Sequence, residues 1–121
     1  ILVTDDSKMA RKMVIKILND VLNENVEVFE GQNGQEAFDL YKEHLPEIVF
    51  LDLTMPVMNG FEALSKIKEF DKNAKVVIIS ADIQKLSMDK ALQLGAFNFI
   101  KKPIDLEKMQ QILGKINELD K

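Results

Sequence analysis

The chain contains no cysteine, which excludes disulfides, thiolate metal sites and a cysteine nucleophile and fits a reducing compartment such as the cytoplasm. No apolar run approaches the roughly 18 residues that a membrane span needs, so we expect no membrane insertion. A basic excess is also lacking: 16 Lys and Arg against 20 Asp and Glu give a formal net charge of −4, which argues against direct nucleic-acid binding. The single histidine, His44, is expected to be exposed and structural.

The length of 121 residues, with 46% hydrophobic and 30% charged residues, indicates one globular domain over 1–121. There is no internal repeat, low-complexity linker or visible signal peptide. Because the chain opens at Ile1 and not at Met, we expect further residues upstream, and a longer parent protein stays open. The last helix runs to the chain end without a linker, which mildly favours a stand-alone protein.

Five short runs rich in β-branched and aromatic residues predict strands. They span residues 1–4, 26–30, 47–52, 75–80 and 97–101. The second run, VEVFE, is the most polar and is therefore expected near an edge of the sheet.

Five segments between and after these runs have apolar residues three or four positions apart, which predicts helices. They span residues 7–24, 33–44, 60–70, 84–94 and 105–119. The apolar stripe of the first consists of Ala10, Met13, Val14, Ile17, Leu18 and Val21. Either Asp6 or Ser7 can cap this helix, and Gly95 is placed to end the fourth one.

The alternation of strand and helix predicts an α/β fold, a doubly wound (βα)5 three-layer sandwich with a five-stranded parallel sheet. In such open sheets the ligand crevice lies at the carboxyl ends of the strands. The chemically useful residues at those ends are Asp5, Asp6, Asp52, Ser80, Lys101 and Lys102. We expect them to converge on one crevice, although they are far apart in sequence.

Three carboxylates in one crevice form an all-oxygen site, which suits Mg²⁺ or Mn²⁺ better than zinc. With the ammonium of Lys102 and the hydroxyl of Ser80, the same crevice suits a phosphoryl group. Taken singly, each residue has a structural explanation: Asp6 as a helix cap, Asp52 as a turn former and Ser80 as a satisfied strand-end hydroxyl. Those separate explanations give no reason why acids, a hydroxyl and a lysine should all occur at these strand ends. Taken together, the residues therefore favour a functional site.

These residues resemble the response-regulator receiver domains of bacterial two-component signalling, and most of all the single-domain chemotaxis regulators of the CheY type. The matching pieces are the acidic pair Asp5-Asp6, the stretch 52–56 followed by Asn59-Gly60, then Ser80-Ala81 and Lys102-Pro103. The resemblance covers essentially the whole chain. It implies a flavodoxin-like fold with strand order 2-1-3-4-5.

The resemblance implies that Asp52 is the phosphoacceptor, which takes a phosphoryl group from a phosphohistidine of a partner. Asp6 and Asp52 would bind Mg²⁺ directly, Asp5 through a water, and Thr54 through its backbone carbonyl. Mn²⁺ would substitute for Mg²⁺. Lys102 would pair with the phosphoryl oxygens and form a cis peptide bond with the next residue, Pro103.

Ser80 and Phe99 are, by the same resemblance, the switch residues: the Ser80 hydroxyl moves to the phosphoryl group and the Phe99 ring then turns inward. This chain differs from the commoner family pattern in two features. Phe99 lacks the hydroxyl of the commoner tyrosine, and the positions that tune dephosphorylation hold Thr54 and Asp82.

The implied function is a phosphorylation-activated switch that catalyses only its own phosphorylation and dephosphorylation and is otherwise not an enzyme. Its partners would be a histidine kinase or phosphotransfer protein and a downstream target, such as a flagellar motor switch or another signalling protein. The target surface would be the fourth helix, fifth strand and fifth helix. A cytoplasmic monomer is expected.

Three other functions stay open. One is the receiver half of a longer regulator or hybrid kinase, with a DNA-binding or enzymatic output. Another is a docking module that works without phosphorylation. The third, an Asp-nucleophile phosphatase of the haloacid-dehalogenase type, fits poorly because Thr54 stands where those enzymes have their second acid and because no residues are left for a substrate-covering cap.

Overall fold

Five strands alternate with five helices in the structure, a computed structural model that describes residues 1–81 and 84–119, the side chains only as far as Ile116. The strands are β1 (Leu2–Thr4), β2 (Phe29–Gly31), β3 (Val49–Leu51), β4 (Val76–Ser80) and β5 (Asn98–Lys101). The helices are α1 (Lys8–Leu22), α2 (Gly34–His44), α3 (Gly60–Phe70), α4 (Lys85–Gln93) and α5 (Leu106–Leu119). The predicted alternation is therefore confirmed.

The strands form one parallel sheet in the order β2-β1-β3-β4-β5, as expected. Successive side chains of a strand point to opposite faces, so neighbouring residues enter different cores. Leu2 packs in the core between the sheet and α2, α3 and α4, whereas Val3 packs in the core beneath α1 and α5. These two cores make the three layers and leave the carboxyl ends of the strands free for a site.

The second strand lies at the sheet edge, as predicted, but it begins later than the 26–30 run. Only Phe29–Gly31 pairs with β1, and the Phe29 amide donates to the Ile1 carbonyl at 2.9 Å. The strand it pairs with, β1, is three residues long, and this limits the length of the edge strand. Val26 and Val28 are partly buried against the α1/α5 core without joining the ladder.

The helix ends follow local capping chemistry. Ser7, and not Asp6, caps α1: its Oγ accepts a hydrogen bond from the Ala10 amide at 3.2 Å. Gly95 directly follows Leu94, the C-cap residue of α4. Its φ of +102° confirms Gly95 as the residue that ends the helix. Asp6 is thus left available for another role.

The buried face of α1 differs from the predicted stripe. Met13 is 48% exposed, whereas Arg11 is only 6% exposed and lies on the inner face with Val14 and Leu18. Positions 11, 14 and 18 are one helical stripe, so the helix is rotated slightly from the orientation that the apolar residues favour. The prediction was wrong for Met13 because a charged residue takes its place.

His44 is exposed, as expected, and its ring stacks on that of Phe29 with centroids 3.7 Å apart. Among the helices that the structure describes, none has both the length and the apolar character to cross a membrane.

Candidate functional site: an acidic crevice with a bridging lysine

The sheet brings the ends of β1 and β3 together. The Asp52 amide donates to the Thr4 carbonyl at 3.0 Å, and the Asp5 amide donates to the Gly31 carbonyl at 3.1 Å. Both aspartates therefore continue the strand hydrogen bonding one residue beyond the ladder. Their side chains start from neighbouring backbone positions at the same edge of the sheet.

Asp5, Asp6 and Asp52 form one acidic cluster, in which one carboxylate oxygen of each lies within 4.8 Å of the other two. Asp5 and Asp52 are each 6% exposed, whereas Asp6 is exposed. The cluster is thus open to water on the side of Asp6 and buried on the side of Asp5 and Asp52. Three carboxylates without nitrogen or sulfur donors fit a hard divalent cation such as Mg²⁺.

Lys102 bridges the two buried carboxylates. Its Nζ lies 2.7 Å from Asp5 Oδ2 and 3.3 Å from Asp52 Oδ1. The Lys102 amide donates to the Ser80 carbonyl at 2.9 Å, which fixes the residue beside the end of β4, and the Lys102–Pro103 peptide bond is cis as expected. Lys101 is exposed, so Lys102 is the lysine of the site.

Asp5 is held by donors on three sides. Its Oδ1 accepts from the Ser7 amide at 2.9 Å and its Oδ2 from Lys102. Its backbone carbonyl accepts from Nη1 of Arg11 at 2.6 Å. Arg11 is a site residue that the sequence analysis missed. Its position three before Val14 and seven before Leu18 puts it on the inner face of α1, but that spacing alone does not distinguish a buried arginine from an exposed one at the border of the stripe.

The charges of the cluster oppose one another. Burial raises the pKa of Asp52; Lys102 lowers it and Asp5 raises it again, so the net pKa lies above the usual value. Burial lowers the pKa of Lys102, but its contacts with Asp5 and Asp52 outweigh burial and raise the pKa above the usual value. Lys102 therefore stays protonated at neutral pH between the carboxylates.

The other predicted residues differ in their positions. Ser80 is buried at the end of β4, next to Lys102 along the backbone ladder. Thr54 is exposed two residues after Asp52, and Phe99 is half-buried on β5 against the α2/α3/α4 core. Asp82, one of the two positions expected to tune dephosphorylation, lies outside the described residues.

The loop between β3 and α3 is tightly packed behind Asp52. The Gly60 amide donates to the Leu53 carbonyl at 2.9 Å, and a Cβ on Gly60 would lie 2.3 Å from the Asp52 carbonyl oxygen. No side chain fits there without moving the backbone of Asp52. Gly60 thus allows α3 to start directly against the residue that carries the candidate nucleophile.

The comparisons with known proteins agree with this geometry. Residues 1–114 match the response regulator receiver domain family. The chemotaxis protein CheY of Bacillus subtilis is 39% identical, with 95% of this chain and 94% of that protein covered. CheY of Treponema pallidum is 43% identical, with 96% of this chain and 81% of that protein covered. The chain therefore belongs to the receiver-domain family.

A solved structure gives the same result for the fold. The crystal structure of a CheX–CheY–BeF3–Mg²⁺ complex from Borrelia burgdorferi has a TM-score of 0.86 at 39% identity, covering 96% of this chain and 87% of that one. The fold is thus the flavodoxin-like receiver fold, and the chain is a CheY-like member of two-component signalling.

Proposed function

We propose that this receiver domain, 1–121, is a switch that takes a phosphoryl group on Asp52 from a histidine kinase or phosphotransfer protein. The observation that carries the proposal is the bridge from Lys102 to two buried carboxylates, Asp5 and Asp52, beside the exposed Asp6. A pocket with one lysine ammonium, three carboxylates and one side open to water suits a metal-bound phosphoryl group.

The ligand set is the one that the resemblance to receiver domains implies. Asp6 and Asp52 would hold Mg²⁺ directly, Asp5 through a water and Thr54 through its backbone carbonyl, with Mn²⁺ as a substitute. The metal would supply positive charge to the oxygens of the transferring group. The grouping of the three carboxylates, two largely buried and one exposed, supports a divalent cation here.

In the transfer, an Oδ atom of Asp52 attacks the phosphorus of a phosphohistidine. The phosphorus–nitrogen bond breaks as the acyl phosphate forms, and the imidazole leaves with its electron pair and takes a proton from water. The burial that raises the pKa of Asp52 makes its carboxylate more basic. Lys102, which is already within 3.3 Å of Asp52 Oδ1, pairs with the incoming phosphoryl oxygens.

Phosphorylation replaces the carboxylate of Asp52 by a group with about two negative charges and three acceptor oxygens. The Ser80 hydroxyl turns to that group, and Phe99 turns further inward. The surface formed by α4, β5 and α5 changes and binds the target. The half-buried position of Phe99 supports this, because a modest rotation changes its exposure.

We infer a monomer in the cytoplasm that catalyses only its own phosphorylation and dephosphorylation. Its target is a flagellar motor switch or another signalling protein. The likeness to CheY proteins supports a chemotaxis pathway, and the relative solved with CheX shows that a protein of this kind binds a protein partner. A receiver joined to a further output domain uses the same chemistry at Asp52.

The test is the intact mass of the protein after incubation with acetyl phosphate, with Mg²⁺ or with EDTA. We expect one phosphoryl adduct that requires Mg²⁺, is absent from Asp52→Asn and is unchanged in Asp20→Asn, an exposed carboxylate on α1. If acid-quenched samples show none, beryllofluoride replaces acetyl phosphate. Failure to bind it as well would reject the switch and leave a docking module.

A further inference from the structure

Arg11 is a buried arginine that the phosphotransfer chemistry does not use. It is only 6% exposed, and its Nε donates to Glu30 Oε1 at 2.9 Å while Nη1 donates to the Asp5 carbonyl at 2.6 Å. A buried guanidinium is costly unless its donors are satisfied. Here they join α1 to Asp5, directly after β1, and to Glu30 within β2.

The contact with the Asp5 carbonyl acts on the segment that carries the acidic pair. The carbonyl of Asp5 is part of the backbone link to Asp6, so a donor on that carbonyl fixes how the two carboxylates are presented. Glu30 is in turn exposed and holds the guanidinium in place through the charged contact. Arg11 itself is not a metal ligand, because a guanidinium has hydrogen-bond donors and no acceptor.

We propose that Arg11, oriented by Glu30, is a positioning residue that holds the Asp5–Asp6 segment in the geometry that binds a divalent cation. The proposal rests on the metal site of the proposed function. The positioning role and simple electrostatics predict opposite changes in cation affinity when Arg11 is replaced by a neutral residue. Removal of a positive charge near a cation site should tighten cation binding, whereas loss of positioning should weaken it.

The experiment is a titration of the protein with Mn²⁺, in which electron paramagnetic resonance measures the free ion. Arg11→Met should weaken Mn²⁺ binding by about tenfold, as is typical for the loss of a group that orients metal ligands. Lys12→Met, one residue along on the exposed side of α1, is the matched control for charge. It should bind Mn²⁺ as tightly as the natural sequence or slightly more tightly.

A conservative variant gives a second readout. Arg11→Lys keeps the charge but has one donor group in place of a planar fork, so its Mn²⁺ affinity should lie between those of the natural sequence and Arg11→Met. Urea unfolding of each variant in the same buffer identifies conditions in which all are folded. A merely structural role would lower the unfolding midpoint and leave the Mn²⁺ affinity of the folded protein unchanged.

Wild-type Mn²⁺ affinity in folded Arg11→Met would overturn the proposal. If Arg11→Met does not fold, Glu30→Gln, which leaves the arginine in place, is measured instead: weaker Mn²⁺ binding supports positioning and unchanged binding overturns it. If the natural sequence itself binds no Mn²⁺, the metal site fails and the positioning role fails with it.

Discussion

Nζ of Lys102 lies 2.7 Å from Oδ2 of Asp5, although the two residues are 97 positions apart in the chain. The parallel sheet creates this contact, because both residues follow strands whose carboxyl ends meet at one edge. The lysine also contacts Asp52, so a change of charge on that carboxylate acts directly on Lys102. The site therefore couples the chemical state of Asp52 to the end of β5.

The charge of Asp52 should cost stability when no divalent cation is bound. Burial raises its pKa, and Asp5 and Asp6 raise it further. Asp52→Asn removes this cost, while Lys102 keeps its contact with Asp5. We expect the free energy of unfolding at neutral pH in EDTA to rise by about 1 kcal/mol, a value reduced by solvent screening at the open side. Urea denaturation measures it.

The pH dependence of that difference has a fixed sign. A carboxyl whose pKa is raised on folding stabilises the protein below its unfolded pKa and loses that stabilisation as the pH rises through its folded pKa. The gain from Asp52→Asn should therefore disappear as the pH falls to about 4, the ordinary value for Asp. Saturating Mg²⁺ should also reduce the gain. A gain that is constant across this range would contradict the argument.

Ser80→Ala should separate phosphorylation of Asp52 from the conformational change of β5 that follows it. Ser80 is buried beside Lys102 and is not a ligand of the predicted metal site, so the variant should still bind beryllofluoride with Mg²⁺. Without the hydroxyl, the amide resonances of β5 around Phe99 should shift much less than in the natural sequence. Ser65→Ala, on α3, is the control and should shift normally. Full β5 shifts in Ser80→Ala would exclude Ser80 as the switch residue.

Gly60→Ala should destabilise the protein and slow its phosphorylation. The added Cβ would lie 2.3 Å from the Asp52 carbonyl oxygen and 2.7 Å from the Leu53 Cα, so the backbone must shift. Overpacking of this kind costs about 1–3 kcal/mol. The measurements are the urea midpoint and the rate of adduct formation with acetyl phosphate.

Gly114→Ala is the matched control, because nothing lies within 4 Å of a Cβ added at this position in α5. Alanine is a better helix former than glycine, so this variant should gain about 0.5–1 kcal/mol in stability. Its phosphorylation rate should not change. Equal losses in the two variants would show that the contact with Asp52 is irrelevant.

Tyr41→Phe should lower the urea midpoint at neutral pH, because the Tyr41 hydroxyl donates to Asp71 Oδ2 at 2.7 Å. That hydrogen bond is the main reason why the pKa of Asp71 lies below its usual value. A carboxyl with a lowered pKa stabilises the fold above its unfolded pKa and loses this effect as the pH falls through its folded pKa.

The difference between the natural sequence and Tyr41→Phe should therefore shrink as the pH falls below about 4. Asp71→Asn in the Tyr41→Phe background checks this, since it should add little further loss. A difference that grows in acid would contradict the assigned hydrogen bond.

The sequence predicts those parts of the fold that depend on local patterns. The expected helix over 60–70 coincides with α3, because the capping box of Asn59 and Glu62 and the apolar stripe both lie within it. The second strand was misplaced because its bounds depend on pairing with β1, which no local pattern encodes. Its position at the edge was predictable from its polarity.

The same distinction applies to the site. Asp5, Asp52 and Lys102 could be brought together from sequence because each lies at the carboxyl end of a predicted strand of a parallel sheet or directly after it. Arg11 could not, because its partner Glu30 is 19 positions away and a charged helix residue is ordinarily exposed. Burial of a charge inside a helical stripe is visible only once the neighbouring strand end is placed.

The central claim is that Asp52, and neither of its acidic neighbours, carries the phosphoryl group. After treatment with acetyl phosphate and Mg²⁺, borohydride reduction converts a phosphorylated aspartate to homoserine, which peptide sequencing by mass spectrometry locates. We predict homoserine at position 52 alone, and none when Mg²⁺ is withheld. Homoserine at position 5 or 6 would contradict it.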